Sequence, residues 1–374
     1  MSSALQLGVD ALNLLRDRRG IWRYTRALLQ RWTAMGDACV RITLLVPHVW
    51  PGLVRKRLGR AIGCDGLAVG RRQDVAGLRL QAVWYPWNGM TWISPAINVA
   101  TVHDVWPFAS PAEDVRKRRS EQAPFRMTAA HARAIVTDSN FSKSEIVKHL
   151  SLPPKRLHVV YLGVEPAAAS PDRPLLLDGA SRYVLFVGES EPRKDLATLQ
   201  TAMNRLPDAL RMTTGLVIAG KSGGYNCGHV DRQRHEGKQA TIVRFEPCET
   251  VPTLVTGTIE DAFLQQLYAG AAAFAFPSRY EGFGLPVLEA MAHGTPVIAS
   301  QAASVPEVAG DAALYFPAGD ADALAHGLSR ILSDRVLAAQ LSAAGIARAA
   351  AFGWDRCANE TLRVFESVVA GERA

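Results

Sequence analysis

The sequence predicts an α/β protein with two domains, each built from alternating strands and helices. Three observations support this prediction. The chain has 374 residues, more than one compact hydrophobic core usually holds. Short apolar runs of strand length alternate with amphipathic segments of helical length in both halves of the chain. Between the halves, residues 166–180 are rich in Pro and Ala without an amphipathic period, which is typical of a linker.

Composition excludes several classes of protein. The five cysteines are scattered and form no C-x-x-C pair, which argues against structural zinc or a disulfide framework and favours a reducing cytoplasm. The N-terminal segment has no basic start and Asp10 interrupts its apolar run, so we expect no signal peptide. The sequence also lacks a run of about eighteen uninterrupted apolar residues, so we expect no membrane-spanning helix.

The positive charge of the chain is concentrated in its first half. Residues 1–165 carry 24 Lys+Arg and 12 Asp+Glu, a net charge of +12, whereas the remainder has a net charge of −5. This asymmetry indicates an anionic partner. We prefer a membrane surface to nucleic acid, because the basic clusters lack interleaved aromatics and no nucleic-acid-binding motif occurs. The residues predicted to contact the membrane or an acceptor form two clusters: Arg55, Lys56, Arg57 and Arg60, and Arg116, Lys117, Arg118 and Arg119. The apolar neighbours of the first cluster, Leu53, Val54 and Leu58, are expected to dip into the membrane interface.

The first half is predicted to begin with a strand, a loop and an amphipathic helix. G-x-G-x-x-G is absent from that loop, which argues against a dehydrogenase. Asn140 or Ser142 is predicted to cap the last helix of this half. The predicted elements are strands at 5–12, 40–47, 81–87, 97–102 and 156–165, and helices at 22–34 and 112–134.

One predicted strand of this half ends in two polar residues. The apolar run INVATV is followed directly by His103 and Asp104. In open α/β sheets, ligands bind at the carboxyl ends of the strands. A lone histidine is more often structural, but this position makes His103 a candidate functional residue.

The second half opens with a strand that ends at Gly188. Arg193 and Lys194 follow, immediately before the predicted helix DLATLQTAM. An isolated Arg-Lys pair is more often simply solvent-exposed. Cations before a helix N-terminus, at the carboxyl end of a strand, suit a diphosphate group. Residues 222–240 read as a polar, Gly-rich loop, and between residues 241 and 258 we predict no more than one or two strands.

Residues 271–300 read as strand, loop, helix and strand. Pro286 is predicted as the first residue of the helix, and the free N–H groups at Gly284 and Leu285 form a site for an anion. Two acids, Glu281 on the loop and Glu289 in the helix, are eight positions apart. Carboxylates repel phosphate but accept hydrogen bonds from hydroxyls. The pattern therefore indicates hydroxyl groups on both sides of a phosphate, although a single such pair of acids is more often a solvated helix face.

Asp320-Ala321-Asp322 formally matches a D-x-D metal motif. Its position immediately before an amphipathic segment instead predicts a helix cap. We therefore expect no metal site and no cofactor.

Five strings resemble the signature of glycosyltransferase family four, whose members are retaining enzymes of the GT-B fold. The most specific is E-G-F-G-L-P-V-L-E-A-M-A-x-G-x-P-V, which covers seventeen positions from Glu281. V-G-x-x-E-P-R-K ends at Lys194, V-H-D-x-W-P contains His103, S-x-F-S-x-x-E ends at Glu145, and SVPEVAGDAALYF follows later. Two positions depart from the family: Trp22 replaces the second glycine of G-I-G-R-Y, and Glu189 stands where some members have arginine.

The resemblance implies two Rossmann-like domains that face each other across a cleft. Residues 1–165 form the predicted acceptor-binding domain, residues 181–353 the predicted nucleotide-sugar-binding domain, and a final helix at 354–370 is expected to pack back onto the first. The implied activity is retaining transfer of a hexose from a nucleoside diphosphate sugar. The implied catalytic residues are His103, Arg193, Lys194 and Glu281, and the implied donor-binding residues are Gly20, Gly188, Arg193, Lys194, Glu281, Gly282, Phe283, Gly284, Leu285 and Glu289.

Each residue has an implied role. His103 is expected to hydrogen-bond the donor sugar, Glu281 to bind sugar hydroxyls and Glu289 to bind the ribose. With no metal expected, Arg193, Lys194 and the helix dipole must stabilise the leaving diphosphate.

The strings look most like those of bacterial mannosyltransferases that build surface polysaccharides. GDP-mannose is therefore the first choice of donor and a UDP-sugar the second. The expected acceptor is a glycan, linked to polyprenyl diphosphate, at the inner face of the membrane, with the protein cytoplasmic and peripheral. The alternatives are an epimerase or phosphorylase on the same fold, or a non-catalytic sugar-nucleotide-binding module.

Overall fold

The structure is a computed structural model that describes residues 4–15, 20–47, 51–64, 66–110, 115–167, 175–221, 228–235, 238–245 and 250–372. The chain divides into two units. The first comprises Met1–Gly163 with Phe352–Ala374, and the second comprises Val164–Ala351. Each unit is built on its own parallel sheet.

The first unit has a seven-stranded sheet in the order β3-β2-β1-β4-β5-β6-β7, and every neighbouring pair is parallel. Buried apolar residues make up most of the central strands, as expected of a parallel sheet covered on both faces. Its strands are β1 Leu5–Asp10, β2 Val40–Val46, β3 Ala68–Arg71, β4 Ala82–Tyr85, β5 Ile97–Thr101, β6 Ala134–Thr137 and β7 Leu157–Val159. Its helices are α1 Gly20–Met35, α2 Pro51–Ile62, α3 Trp106–Ala109, α4 Val115–His131 and α5 Asn140–Leu150.

The cap of α5 differs from the prediction. Ser139, and neither Asn140 nor Ser142, is the N-cap: its side chain accepts a hydrogen bond from the backbone N–H of Ser142 at 3.0 Å. The helix therefore begins one residue after Ser139. The first three positions of the helix predicted at 112–134, residues 112–114, fall outside the described residues.

The second unit has a six-stranded parallel sheet in the order β13-β10-β9-β14-β15-β16. Its strands are β9 Arg182–Val187, β10 Thr214–Ala219, β13 Thr253–Val255, β14 Ala273–Phe276, β15 Val297–Ser300 and β16 Leu314–Phe316. Its helices are α6 Leu196–Asn204, α7 Asp208–Arg211, α8 Asp261–Gly270, α9 Leu285–Ala292, α10 Val305–Ala309, α11 Ala321–Ser333 and α12 Arg335–Ala349.

A third, small sheet corrects the predicted linker and also the loop predicted at 222–240, where residues 228–235 form a strand. Strands β8 Leu175–Asp178, β11 Gly228–His235 and β12 Lys238–Phe245 form a sheet in the order β11-β12-β8. Because β8 pairs with β12, the end of the segment 166–180 belongs to the second unit and is not a linker. The stretch 168–174 lies outside the described residues.

The final helix, α13 Trp354–Gly371, returns to the first unit. Its Phe365 packs against Trp32 of α1 and Trp84 of β4, with ring centroids 5.7 Å and 6.1 Å away. The indole N–H of Trp32 donates to the carbonyl of Ala358 at 3.0 Å. Aromatic burial of this size, together with a satisfied indole, explains why the chain crosses back after α12.

One stretch of the described chain, Arg335–Gly371, is long and apolar enough by length and composition to cross a membrane, although no spanning helix was predicted. In the structure the stretch is two helices, α12 and α13, separated by residues 350–353. The residues of α13 that are buried include Trp354, Cys357 and Phe365.

Gly163 provides a test of the contact between α13 and the rest of the first unit. A Cβ at this position would lie 2.3 Å from the backbone nitrogen of Trp354. We expect Gly163→Ala to lower the free energy of unfolding by about 1–3 kcal/mol, because the N-terminus of α13 must move. Gly353→Ala is the matched control, since a Cβ there meets nothing within 4 Å. Equal stability of the two variants in urea denaturation would contradict this packing.

Candidate functional site

Both parallel sheets reverse their strand order at an internal position. In the first unit the order changes direction between β1 and β4, and in the second between β9 and β14. Loops that leave the carboxyl ends of strands on either side of such a reversal diverge and open a crevice, where ligands bind in α/β proteins. In the second unit these two loops carry Arg193 and Lys194 after β9, and Glu281 after β14.

The two loops of the second unit bring the predicted cations and carboxylate together. The Lys194 Nζ lies 2.5 Å from Glu281 Oε1, and Arg193 Nη1 lies 3.9 Å from Glu281 Oε2. The Nε of Arg193 also donates to Glu191 Oε2 at 2.7 Å. Glu281 is only 7% exposed. A carboxylate this buried must be compensated by a cation, so Glu281 and Lys194 depend on each other.

The surroundings of Lys194 hold its side chain in place. Its Nζ lies 5.2 Å from the centroid of the Phe276 ring, a cation–π contact. Gly188 has a φ of +149°, and a Cβ there would lie 3.6 Å from Lys194 Cε. A Cβ on Gly220 would lie only 2.0 Å from the Gly188 carbonyl oxygen. The Gly188 turn thus passes close to the end of the neighbouring strand β10 and beneath the Lys194 side chain.

Helix α9 begins at Leu285, directly after Gly284, which has a φ of +96°. Pro286 is therefore the second helical residue, one position later than predicted, where its missing N–H is still harmless. Gly282 and Phe283, which the family resemblance implies as donor-binding residues, are buried in this loop. The Ser304 hydroxyl donates a hydrogen bond to the Glu281 backbone carbonyl at 2.9 Å, which holds the loop in place. The predicted anion site at this helix start stays a prediction.

Glu289 lies in α9 and is half-buried. Its Oε2 accepts a hydrogen bond from the Tyr268 hydroxyl at 2.8 Å, and the Tyr268 ring stacks on His293 with centroids 5.5 Å apart. These contacts orient the Glu289 carboxylate. Its assignment to a ribose stays a prediction.

In the first unit, His103 lies at the carboxyl end of β5, as predicted, and is 8% exposed. Its Nδ1 lies 2.6 Å from Asp138 Oδ2, and its Nε2 lies 3.1 Å from the Pro86 carbonyl oxygen. A sugar hydroxyl can therefore hydrogen-bond a ring nitrogen of His103 only by replacing the Pro86 carbonyl or the Asp138 carboxylate. Asp138 was not among the predicted functional residues, although it follows strand β6 as His103 follows β5.

Charge governs the protonation of His103. Burial lowers its pKa, whereas the charge and hydrogen bond of Asp138, the Pro86 carbonyl and the charge of Asp104 raise it. The net effect is a raised pKa. The imidazolium form is thus favoured beyond the pH at which a free histidine loses its proton.

The first basic cluster lies on α2. Arg55, Lys56, Arg57 and Arg60 are exposed, as predicted, but Val54 and Leu58 are buried at 7% and 0% exposure. The prediction that these apolar neighbours dip into a membrane is wrong for both, because they fill the core of the unit. Gly20 is the first residue of α1, and Trp22 lies buried in the same helix beneath Arg26, whose guanidinium lies 5.1 Å from the indole centroid.

The second basic cluster lies at the start of α4, where Arg116, Lys117 and Arg119 are exposed. Arg118 differs from them. Its guanidinium donates to the carbonyls of Pro107 and Phe108 at 3.3 Å and 3.0 Å, at the end of α3. These bonds show that its guanidinium caps α3, and its predicted contact with a membrane or acceptor stays a prediction.

Asp320 caps a helix, as predicted. Its Oδ1 accepts a hydrogen bond from the Ala323 N–H at 2.9 Å, and Asp322 pairs with Arg205 at 2.8 Å. Among the described residues, no group of three or more His, Cys, Asp or Glu side chains could hold a metal ion. The expected independence of metals and cofactors stays a prediction.

Asp195 and Arg279, which were not predicted as site residues, join the two loops of the second unit. Asp195, directly after Lys194, has a φ of +48° and a side chain that is only 10% exposed. Its carboxylate accepts hydrogen bonds from Thr198 at 2.8 Å and from Arg279 Nε at 2.7 Å. The Arg279 N–H donates to the Arg193 carbonyl at 2.7 Å. Only their position next to Lys194 and Glu281 in the motifs could have indicated them.

We expect Asp195 and Arg279 to act as a unit in holding Lys194. Asp195→Asn and Arg279→Ala should each weaken binding of a nucleoside diphosphate, measured by calorimetry. The loss of binding free energy in the double variant should be about 0.5–1 kcal/mol smaller than the sum of the two single losses. The coupling is this small because the Arg279 side chain is largely exposed. Arg211→Ala, which breaks an exposed pair with Asp208, is the matched control and should not change affinity. Strict additivity would show that the pair does not position the loop.

Two family descriptions match the chain. "Glycosyltransferase Family 4" matches residues 18–168, and "Glycosyl transferases group 1" matches residues 172–348. The two matches follow the two units, and the second contains the Lys194–Glu281 cluster.

Curated relatives resemble much of the chain. The O-antigen chain mannosyltransferase B of Escherichia coli is 32% identical over 279 residues, which cover 72% of this chain and 70% of the relative. The MMP alpha-(1->4)-mannosyltransferase of Mycolicibacterium hassiacum is 30% identical over 262 residues, which cover 69% of this chain and 57% of the relative.

Solved structures share the fold over almost the whole chain. Sucrose-phosphate synthase from Thermosynechococcus elongatus has a TM-score of 0.68 at 18% identity and covers 98% of this chain and 100% of its own. Anabaena HepE in complex with UDP and glucose has a TM-score of 0.69 at 14% identity and covers 97% and 100%. At such identities the likeness shows the fold alone. With the family matches and the Escherichia coli relative, it establishes that the chain belongs to glycosyltransferase family four and is a glycosyltransferase of the GT-B fold.

Proposed function

We propose that the protein transfers mannose from GDP-mannose to a glycan acceptor, with retention of the anomeric configuration. The observation that carries the proposal is the cluster of Lys194, Arg193 and Glu281 at the strand-order reversal of the second unit. The choice of mannose rests on the printed names of the relatives, which include mannosyltransferases of two genera. Retention rests on the family resemblance.

The cluster suits a diphosphate next to a sugar. Lys194 and Arg193 supply cations with twelve to nineteen per cent side-chain exposure, so charge that develops on a departing diphosphate is poorly screened by water there. Glu281 can only accept hydrogen bonds when ionised, which suits sugar hydroxyls. On donor binding, we propose that the diphosphate takes over Lys194 while the sugar hydroxyls take over Glu281.

This exchange leaves no buried charge uncompensated. Without a donor, Lys194 neutralises Glu281. With a donor, the phosphates neutralise Lys194, and hydroxyl donors stabilise the Glu281 carboxylate. Donor binding therefore replaces one strong ion pair with several charge-assisted hydrogen bonds, which favour a bound sugar only in one orientation.

For the acceptor, we propose a lipid-linked glycan at an anionic membrane surface. The support is the exposure of seven of the eight residues in the two basic clusters, all but Arg118. Each such cation contributes roughly 1 kcal/mol near an anionic leaflet. Because Val54 and Leu58 are buried, attraction must be mainly electrostatic and hence salt-sensitive.

The first test concerns Lys194 and the donor. Lys194→Ala should lower kcat with GDP-mannose by roughly 10²–10³, about 2–4 kcal/mol of transition-state stabilisation. Lys148→Ala, which breaks an exposed ion pair of 3.3 Å with Glu145, is the control and should keep wild-type turnover. Far-ultraviolet circular dichroism checks that both variants are folded.

The same variants, thermal stabilisation by nucleotides and product analysis together separate the alternatives. Wild-type turnover by Lys194→Ala would refute the phosphate assignment. Thermal stabilisation by UDP and not by GDP would replace GDP-mannose with a UDP-sugar as the donor. An isomerised sugar nucleotide formed without acceptor would identify an epimerase, and binding without turnover of any donor would identify a non-catalytic module.

The second test concerns the membrane. The wild-type protein should co-sediment with anionic but not with neutral vesicles, and less so at high salt. Reversing Arg116, Lys117 and Arg119 to Glu should abolish this binding. Reversing three exposed arginines of the second unit, Arg205, Arg330 and Arg335, changes the net charge equally and should leave it largely intact. Equal binding to both vesicle types would contradict the electrostatic mechanism.

A further inference from the structure

The hydrogen bonds of His103 require a proton on both ring nitrogens. The Pro86 carbonyl oxygen, 3.1 Å from Nε2, can only accept a hydrogen bond, so Nε2 must donate. The Asp138 carboxylate, 2.6 Å from Nδ1, likewise faces the ring as an acceptor. An imidazole with both nitrogens donating is an imidazolium cation.

Asp138 gives an independent reason for the same charge. Its side chain is only 3% exposed, and its Oδ1 has no hydrogen-bond partner among the described residues. Its hydrogen bond to His103 is thus the one that stabilises this carboxylate in the part of the chain that is described. Removing the Nδ1 proton would leave the buried carboxylate facing a lone pair, and removing the Nε2 proton instead would leave its charge without the cation beside it; both are unfavourable for a buried carboxylate. Asp138 also lies directly before the N-cap of α5, where the helix dipole favours negative charge.

The other ionisable groups around the ring do not compete for the proton. Tyr24 of α1 packs edge-on against His103 at 5.1 Å, and burial raises the pKa of its hydroxyl. Burial likewise raises the pKa of the Cys357 thiol on α13, which interacts electrostatically with Tyr24 and Asp138. Both groups are therefore neutral near pH 7. Asp104, the next residue in the chain, adds a further charge that favours the imidazolium.

The backbone of His103 is also fixed. Its N–H donates to Asn88 Oδ1 at 2.8 Å, and its carbonyl accepts from the Ser142 hydroxyl at 2.8 Å. The ring therefore offers its Nε2–H along one direction, towards the Pro86 carbonyl. An oxygen of a substrate could replace that carbonyl as acceptor, but Nε2 has no lone pair with which to take up a proton.

We infer that Asp138 is a positioning residue that keeps His103 as a fixed cation and hydrogen-bond donor, so that His103 does not serve as the general base of the transfer. The first part of this inference stands on the hydrogen bonds alone. The second part rests on the proposed function, because it concerns the transfer reaction.

Nuclear magnetic resonance of protein labelled with ¹⁵N-histidine tests the inference without activity. In the wild type, both ring nitrogens of His103 should show imidazolium shifts at pH 7.5, about one unit above the usual histidine pKa of about 6.5. In Asp138→Asn, burial remains but the compensating charge is lost, so His103 should be neutral at pH 7.5. His103→Gln assigns the resonances. A neutral wild-type His103 at pH 7.5 would overturn the inference.

A matched variant distinguishes the effect of Asp138 on the protonation of His103 from that of any nearby carboxylate. Asp104→Asn removes a neighbouring charge without removing the Nδ1 hydrogen bond, so His103 should stay protonated at pH 7.5. If Asp138→Asn does not fold, Asp138→Glu retains the carboxylate, and the wild-type spectrum still decides the charge. Loss of the imidazolium in Asp104→Asn as well would overturn the special role of Asp138.

Kinetics then test the role in the transfer. Asp138→Asn should lose kcat by at least about tenfold at pH 8, the scale of losing one preorganised donor, and recover as the pH falls below the usual histidine pKa. A merely structural role would give a loss that does not depend on pH, and that result would overturn the kinetic part. Absence of any transfer from GDP-mannose by the wild type would refute the proposed function, while the NMR titration would still decide the charge of His103.

Discussion

The buried ion pair between Lys194 and Glu281 is the interaction on which the candidate site of the second unit depends. A carboxylate at 7% exposure is unfavourable unless a cation lies beside it, and Lys194 lies 2.5 Å away. The pair joins loops that are almost ninety positions apart in the chain. The backbone bond from Arg279 to Arg193 and the Asp195–Arg279 pair hold the same two loops beside it. Several independent contacts therefore fix the relative position of the two loops, as preorganised electrostatic catalysis requires.

The first unit solves the same physical problem with different residues. His103 and Asp138 are also a buried pair of opposite charges at the carboxyl ends of adjacent parallel strands, β5 and β6. In each unit the backbone near the pair is held by a side-chain hydroxyl, from Ser142 in the first and Ser304 in the second. Buried charge at these strand ends is costly for folding. That it occurs in both units, with His103, Lys194 and Glu281 inside the strings that resemble the family, is consistent with a function that uses it.

The exposed cations of the first unit differ from these buried pairs in their cost to folding. Most cations of α2 and the start of α4 are exposed, so they cost little and can attract an anionic surface over a Debye length. Arg118 shows how one member of a charge run can differ from its neighbours, because the open carbonyls at the end of α3 offer it better partners than water does. Val54 and Leu58 show the converse, since the face of α2 that carries them packs into the core. Helical spacing alone predicts that such a face exists, but the sheet decides where it points.

The sequence alone predicts the family, the class of fold, His103 and the residues at the strand-order reversal of the second unit, because short motifs such as those around Lys194 and Glu281 are local in the chain. Alternating strand and helix patterns are also local, and the predicted core strands of both sheets are present. The tertiary structure decided what is non-local: the pairing of β8 with β12 in the segment predicted as a linker, the contact between Asp195 and Arg279, and the partner of His103. It also decided the charge of that histidine. A protonation state depends on which acceptors face the ring, and Pro86, Asp138 and His103 meet only after the parallel strands have paired.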